Sequence, residues 1–549
     1  MTYPIVTKAM KCVGSMLAAL VLFSSCTNKQ GLETKVPKEA SGVVVVNTTK
    51  LGFKLLMDQI TLNNFRDLMG ESNPGSNSSG DETAPKSDKK KWGEALSDPT
   101  ALGIDIQQDA YFYVGEEFTN NEPQQIVALL ALSDKAAFEE FLENDPPNDV
   151  KAPTQQGKGF RYRVKELEGI TFGWDKHTLA IVATPPHDQT SGLEELTNIF
   201  NRPADRSMKN NSRFADVLAE GADIGIYLNL QGVLEQSNLK GNELFMKEQW
   251  VEHINAFLSF DDGEISVQTV QFAKQGKADE LKLITQDVQL KQIFDLFNMD
   301  ESLGFLNFRY HKESIRALVA QDESLQNRLR IFLVGMQLSE DEFFNLFEGN
   351  LLLALTGVQI IEKESKSFEM DENFNMQEII KIEKVPEPSF LAAMTTAPDE
   401  MNKLLAQSNF LTKEDGLYKI NPFFTGDRNI YLILKDNLLL ATSNPEIFSN
   451  SFSNSGPVYD LATQNPISFY LNTDGLIDAI PDDQKGRQKP MLDEIRNYIK
   501  GVETIVAPSN GEQLNTDLVL KFKDQDRNGL SQLIEMVNSV RKKEKNLVM

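Results

Sequence analysis

The chain has 549 residues, with 80 Asp and Glu against 55 Lys and Arg, a formal charge of −25 and only two cysteines. A surface this acidic repels phosphate backbones and anionic headgroups, so neither nucleic acid nor a charge-held membrane surface is an expected partner. With 40% apolar and 25% charged residues, the chain has the composition of folded domains, and its length allows two or three of them at roughly 100–200 residues each.

In chain order, Lys8 and Lys11 precede an apolar run, Met16–Phe23, then the small residues Ser24 and Ser25, then Cys26. That order is a secretory signal. The run is shorter than the roughly 20 residues that span a bilayer, and no later stretch is long enough either. Leu22–Cys26 resembles the lipobox, in which the cysteine thiol receives diacylglycerol before cleavage. Residues 1–25 are therefore the expected lipoprotein signal peptide and Cys26 the lipidation site; a start at Met10 keeps the same signal. Cleavage removes Cys12 with the signal, leaving a chain without a disulfide and with a charge of −27. Residues 26–35 are polar and read as a tether, spanning at most roughly 35 Å. Thr27 and Asn28 follow the cysteine with no aspartate, a pattern that by resemblance to lipoprotein sorting rules does not mark inner-membrane retention. No dense acidic cluster follows Cys26, so the expected location is the cell envelope, as an outer membrane lipoprotein facing the periplasm.

Beyond the tether, five blocks recur in the same order at offsets of 240–264 residues. Glu39–Asn47 matches Asp300–Asn307, each read as a strand ending in Asn. Val127–Leu142 matches Leu391–Leu405, a buried strand entering a helix at Ser133 or Pro398. Ile170–Thr184 matches Ile430–Ser443 as a hairpin. Tyr227-Leu-Asn-Leu-Gln-Gly232 matches Tyr470-Leu-Asn-Thr-Asp-Gly475, and Ile265–Phe272 alternates as Leu514–Phe522 does. Ordered matches at this period predict a tandem duplication rather than a solenoid. The expected fold class is α+β, with each unit a largely antiparallel sheet with two or three packed helices. The first unit is drawn over 36–288 and the second over 289–540, followed by a basic tail, 541–549. Residues 70–91, poor in apolar side chains, predict a disordered insert; Asn144–Asp149 and Lys363–Ser367 are read as surface loops.

Few residues offer chemistry. His177, His187, His253 and His311 show no metal-ligand spacing, and zinc, other metals and cofactors are not expected. His177 falls in a hairpin turn where its counterpart is Asn437, and His311 at a solvent-facing helix start. No Walker loop, dinucleotide fingerprint, nucleophile elbow or His-Glu-x-x-His is present, and Gly157-Lys-Gly159 lacks a following helix. Asp261-Asp-Gly-Glu264 could ligate calcium, but Ser509-Asn-Gly-Glu512 keeps only the Gly-Glu, so a strand-leading turn is the better reading. Trp92, Trp174, Trp250, Tyr111 and Tyr113 read as packing before a sugar or peptide groove. The Tyr-Leu-Asn-x-x-Gly repeat reads as a strand turning into a helix.

The Cys26 lipobox, the Val36–Asn47 opening strand, the two Tyr-Leu-Asn-x-x-Gly blocks and the length together resemble the Bacteroidota lipoproteins of domain-of-unknown-function family 4836. That resemblance implies an envelope lipoprotein and supplies no catalytic or binding residue. Without a catalytic constellation, the expectation is a non-enzymatic, membrane-anchored binding or scaffolding protein with an envelope protein or polymer as partner. Two alternatives stay open: a metal-independent hydrolase of envelope glycan or peptide acting through carboxylates, and a carrier of lipid or hydrophobic peptide.

Overall fold

The computed structural model describes residues 31–548 except 57–99, 116–117, 120–121, 124, 145–152, 166–168, 185–188, 231–250, 277, 279–290, 300, 311, 322, 337, 347–348, 371–375, 409, 422–424 and 426–427. Cys26, the signal and the insert over 70–91 lie outside the described residues, as do His187, His311, Trp92, Trp250, Gly232 and most of Asn144–Asp149. Helices and antiparallel strands are mixed, as the α+β expectation required. Contacts divide the chain into two compact units, 1–276 with 524–546, and 277–523 with 547–549.

The first unit contains β1 (Gly42–Val46), α1 (Thr48–Leu56), β2 (Ala110–Val114), β3 (Ile126–Ala131), α2 (Lys135–Asn144), β4 (Gln155–Gln156), β5 (Arg161–Lys165), β6 (Ile170–Trp174), β7 (Thr178–Ala183), α3 (Gln189–Asn201), α4 (Ser212–Glu220), β8 (Ile224–Asn229), β9 (Val251–Asp261) and β10 (Glu264–Ala273). Every pairing is antiparallel, in the order β10-β9-β8-β1-β2-β3-β7-β6-β5-β4. Strand alternation divides the apolar side chains between two faces. One face packs Val43, Tyr113, Leu129 and Val182 against Leu196 and Ile199 of α3 and Phe214 and Val217 of α4. On the other, Phe138 of α2 stacks edge-on against Trp174 at 5.5 Å.

The second unit contains β11 (Gly304–Tyr310), α5 (Lys312–Gln321), α6 (Glu323–Met336), α7 (Glu340–Asn345), β12 (Gly349–Met370), β13 (Met376–Thr395), α8 (Pro398–Gln407), β14 (Leu411–Glu414), β15 (Leu417–Ile420), β16 (Tyr431–Lys435), β17 (Leu438–Thr442), α9 (Pro457–Gln464), β18 (Ile467–Asn472), α10 (Thr473–Ala479), α11 (Lys489–Tyr498), β19 (Ile499–Val506) and β20 (Gln513–Phe522). Its order is β20-β19-β18-β11-β12-β13-β17-β16-β15-β14. Adding ten to each strand number of the first unit gives the second. One core packs Phe305, Leu352, Leu391 and Leu440 with Phe294 and Phe297 from the segment leading into β11.

Four details differ from the sequence reading. Leu32 and Val36 are buried in the first core, so the folded chain starts inside the tether drawn to residue 35. Lys363–Ser367 is no loop: it lies within β12, paired in register from Lys363 opposite Glu383 to Ser367 opposite Ile379. Backbone hydrogen bonds of a long two-stranded ribbon hold it there, and these demand no apolar face. Asn307 does not end its strand, for β11 runs on to Tyr310, and Asn307 faces Ser468 as Val45 faces Gly225. It therefore corresponds to Val45, whereas Asn47 accepts from Lys50 N at the start of α1. Finally, the segment 524–546, most of the helix α12 (Gly529–Val548), clusters with the first unit, and helix continues through the stretch read as a basic tail.

Candidate functional site

The second unit contains a half-enclosed cleft with a cavity of about 240 Å³, larger than the roughly 150 Å³ apolar cavity that accepts benzene. Its floor is the sheet face bearing Met394 of β13 and Leu439 of β17. Its wall is α8, where Pro398 at the first turn presets helical φ and Ala397 leads in extended. Met401 and Leu405, four residues apart and so on one side of that helix, are 2% and 5% exposed. The roof is α7, started by a capping box: Ser339 Oγ accepts from Glu342 N at 3.2 Å, and Glu342 Oε2 accepts from Ser339 N at 2.7 Å. Lys403 Nζ on α8 donates to Glu342 Oε1 at 2.8 Å and ties wall to roof. Lys403 and Ser339 together pull the Glu342 carboxyl down to about 2.

The lip is aromatic. Phe332 of α6 and Phe410 are 38% and 37% exposed and line the cleft, and Phe332 meets Phe343 edge-on at 5.8 Å. On α6, Ile331 and Val334 are 76% and 81% exposed. Among the twelve lining residues the one polar side chain is Ser408, at the C-terminal end of α8. It is 7% exposed, and its hydroxyl has no hydrogen-bond partner among the described residues.

The corresponding place in the first unit is filled. Leu179 pairs with Leu130 and Trp174 there, as Leu439 pairs with Met394 and Leu434 in the second. Trp174 thus corresponds to Leu434. The indole is 1% exposed, packs on Phe138, and donates from Nε1 to Glu139 Oε1 at 2.9 Å. Leu434, a smaller side chain, packs partly buried on the cluster beside the cleft, next to the lining residues Leu432 and Leu439. The turns confirm the correspondence: Leu132 N donates to His177 O at 2.8 Å, and Thr396 N to Asn437 O at 2.9 Å.

A second cavity of about 350 Å³ lies on the same sheet face, over Leu306, Leu353, Phe390 and Phe469. Leu353 is 44% exposed, whereas Phe112, its counterpart by register, is 4% exposed.

The residues singled out in the sequence lie elsewhere. His177 sits in the β6–β7 turn, whose amides at 177 and 178 donate to Asp175 Oδ1, each at 2.8 Å. His253 on β9 stacks on Tyr227, with Nδ1 at 3.3 Å from its hydroxyl. Burial holds the imidazole below its ordinary range, and Arg213 adds to this against an opposing pull from Glu252. Asp261–Glu264 forms the β9–β10 turn. Gly263 is at φ 74°, and a Cβ there would lie 2.7 Å from Gln525 Cα. Gly157 and Gly159 flank the β4–β5 turn. Tyr111, Tyr113 and Trp174 are buried in packing. In the second Tyr-Leu-Asn-x-x-Gly copy, Asn472 caps α10 by accepting from Gly475 N at 3.0 Å.

Among the described residues no three His, Cys, Asp or Glu side chains are grouped to hold a metal ion. Glu139 is pushed up by burial, but the Trp174 indole, Lys135 and Arg161 outweigh this and leave it lowered. Lys489 and Lys485 lower Asp482. None of these carboxylates, nor Glu342, lines either cavity. Ser408 and Leu434 escaped the sequence reading, although the aligned hairpins already set Trp174 against Leu434.

An antiparallel α+β chain with a cleft walled by apolar side chains belongs to a class defined by fold and not by chemistry. The chain belongs to the family described as domain of unknown function DUF4836, whose model matches residues 33–530. A comparison with curated proteins finds no match. Among solved structures, crystal form I of TP0453 is 11% identical over 46% of this chain and 81% of that one, with a TM-score of 0.26. Crystal form III is 9% identical over 48% and 90%, with a TM-score of 0.27.

Proposed function

We propose that this is a non-enzymatic binding protein of the bacterial envelope, typical of Bacteroidota, anchored through lipid on Cys26 to the periplasmic face of the outer membrane. Its two units descend from a tandem duplication, and the second takes up an apolar ligand. The duplication is supported by the shared ten-strand order and by five sequence blocks that fall on corresponding strands. The observation that carries the binding reading is the cleft itself: where the first copy holds Trp174, the second has Leu434 and an open apolar cavity. Folded chains bury such surface in packing unless something occupies it. Ile331 and Val334, exposed on the helix that supplies Phe332, add apolar surface to that helix. Of the sequence alternatives, carriage of a hydrophobic molecule is the one this geometry favours.

Two experiments test the reading. The full chain carrying Cys26→Ser, purified without detergent, should bind the apolar fluorophore N-phenyl-1-naphthylamine saturably; a linear, unsaturable signal would refute ligand uptake. In the native host the unsubstituted protein should fractionate with the outer membrane and the Cys26→Ser chain with the soluble fraction. Membrane retention of that variant would refute the anchor.

A further inference from the structure

Resting on the apolar-cleft reading above, we infer that Ser408 is the polar contact of the site, and that the ligand is a single aliphatic chain ending in an uncharged hydrogen-bonding group, an alcohol or an ester carbonyl. Three observations converge on this class. The cavity, about 240 Å³, exceeds a benzene-sized one by little more than half and has room for one medium-length chain. No charged side chain lines it, so a carboxylate or phosphate drawn inside would lose its water without gaining a counter-charge. The Ser408 hydroxyl is buried, offers one donor and acceptor lone pairs, and has no partner among the described residues. Buried hydroxyls are nearly always hydrogen-bonded, so an unpartnered one on the wall of an apolar cleft is free to pair with a polar group of whatever enters it. Placing it costs the fold little else. Ser408 is the residue at which α8 ends, with extended backbone at φ −77° and ψ 112°, and its carbonyl already accepts from Leu411 N at 3.3 Å.

The test uses the full chain with Cys26→Ser, loaded with N-phenyl-1-naphthylamine and displaced by 1-octanol or, at pH 8, by octanoate. Octanol should displace the probe at lower concentration than octanoate. Ser408→Ala should weaken octanol about five- to tenfold, the loss of one neutral hydrogen bond, with each displacement referred to that variant's own directly titrated affinity for the probe. Leu434→Trp, which installs the side chain found at the corresponding place in the first unit, should abolish binding of both. If octanoate displaces as well as octanol, or Ser408→Ala leaves octanol unaffected, the head-group assignment is wrong while the apolar cleft stands. If Leu434→Trp, still folded by circular dichroism, binds the probe undiminished, the cleft reading itself is wrong.

Discussion

His253, which already lies 3.5 Å from Glu252 beside it in sequence, acquires further partners through register. It faces Asn229 across the β8–β9 pairing, stacks on Tyr227 and sits within reach of Arg213. Its folded-state affinity for a proton is depressed below the ordinary value of 6.5 by burial. A group so depressed binds more protons unfolded than folded, so its contribution to stability is fully present above about pH 6.5 and is lost as the pH falls through the folded value. Thermal melts between pH 7.5 and 5.5 should therefore show a loss of stability that His253→Gln removes in part; identical pH dependence in the two proteins would contradict this. None of this was legible from the lone histidine, whereas the turn role of His177 was, because the residues between two apolar runs must form the reversal. The same holds for Asn472, whose cap on Gly475 N answers the need for acceptors at a helix start.

At the scale of elements, α7 shows how a six-residue helix can be held in place. Alone it is far too short to persist in water. Its capping box and the Lys403 contact from α8 bind it at the N-terminal end, and Phe344 and Leu346 are buried at the other. Ser339→Ala should lower stability by about 1 kcal/mol in urea unfolding and weaken probe binding in the cleft; unchanged binding would mean that the roof holds without its cap. Because the Glu342 carboxyl titrates at about 2 instead of 4.5, its contribution is present above about pH 4.5 and disappears only as the pH falls through about 2, so the roof should remain tied in mildly acidic solution. The strands and hairpins in those five blocks were legible because buried strands keep an apolar spacing. The ribbon of β12 and β13 was not, since Lys363–Ser367 is polar throughout and its pairing is made by backbone, and the Asn307 alignment slipped by two residues because identity of one side chain outweighed register.

For the whole molecule, the informative feature is a difference between two units of one topology. Both place a helix after the third strand and pack it on the face carrying residue 130 or 394. The first closes that space with an indole that also hydrogen-bonds to Glu139, and the second leaves it open. Alignment of the hairpins set Trp174 beside Leu434, but its meaning depends on what α2 and α8 enclose, and that is set by tertiary packing rather than by pattern. Asymmetry of this kind predicts stoichiometry at this place: one molecule in the cleft of the second unit and none at the corresponding place in the first. The decisive measurement is a titration of the Cys26→Ser chain with N-phenyl-1-naphthylamine, compared with the same chain carrying Leu434→Trp. One saturable site in the first and none in the second, with both folded, is the predicted result; equal binding in the two proteins would contradict the assignment of the cleft.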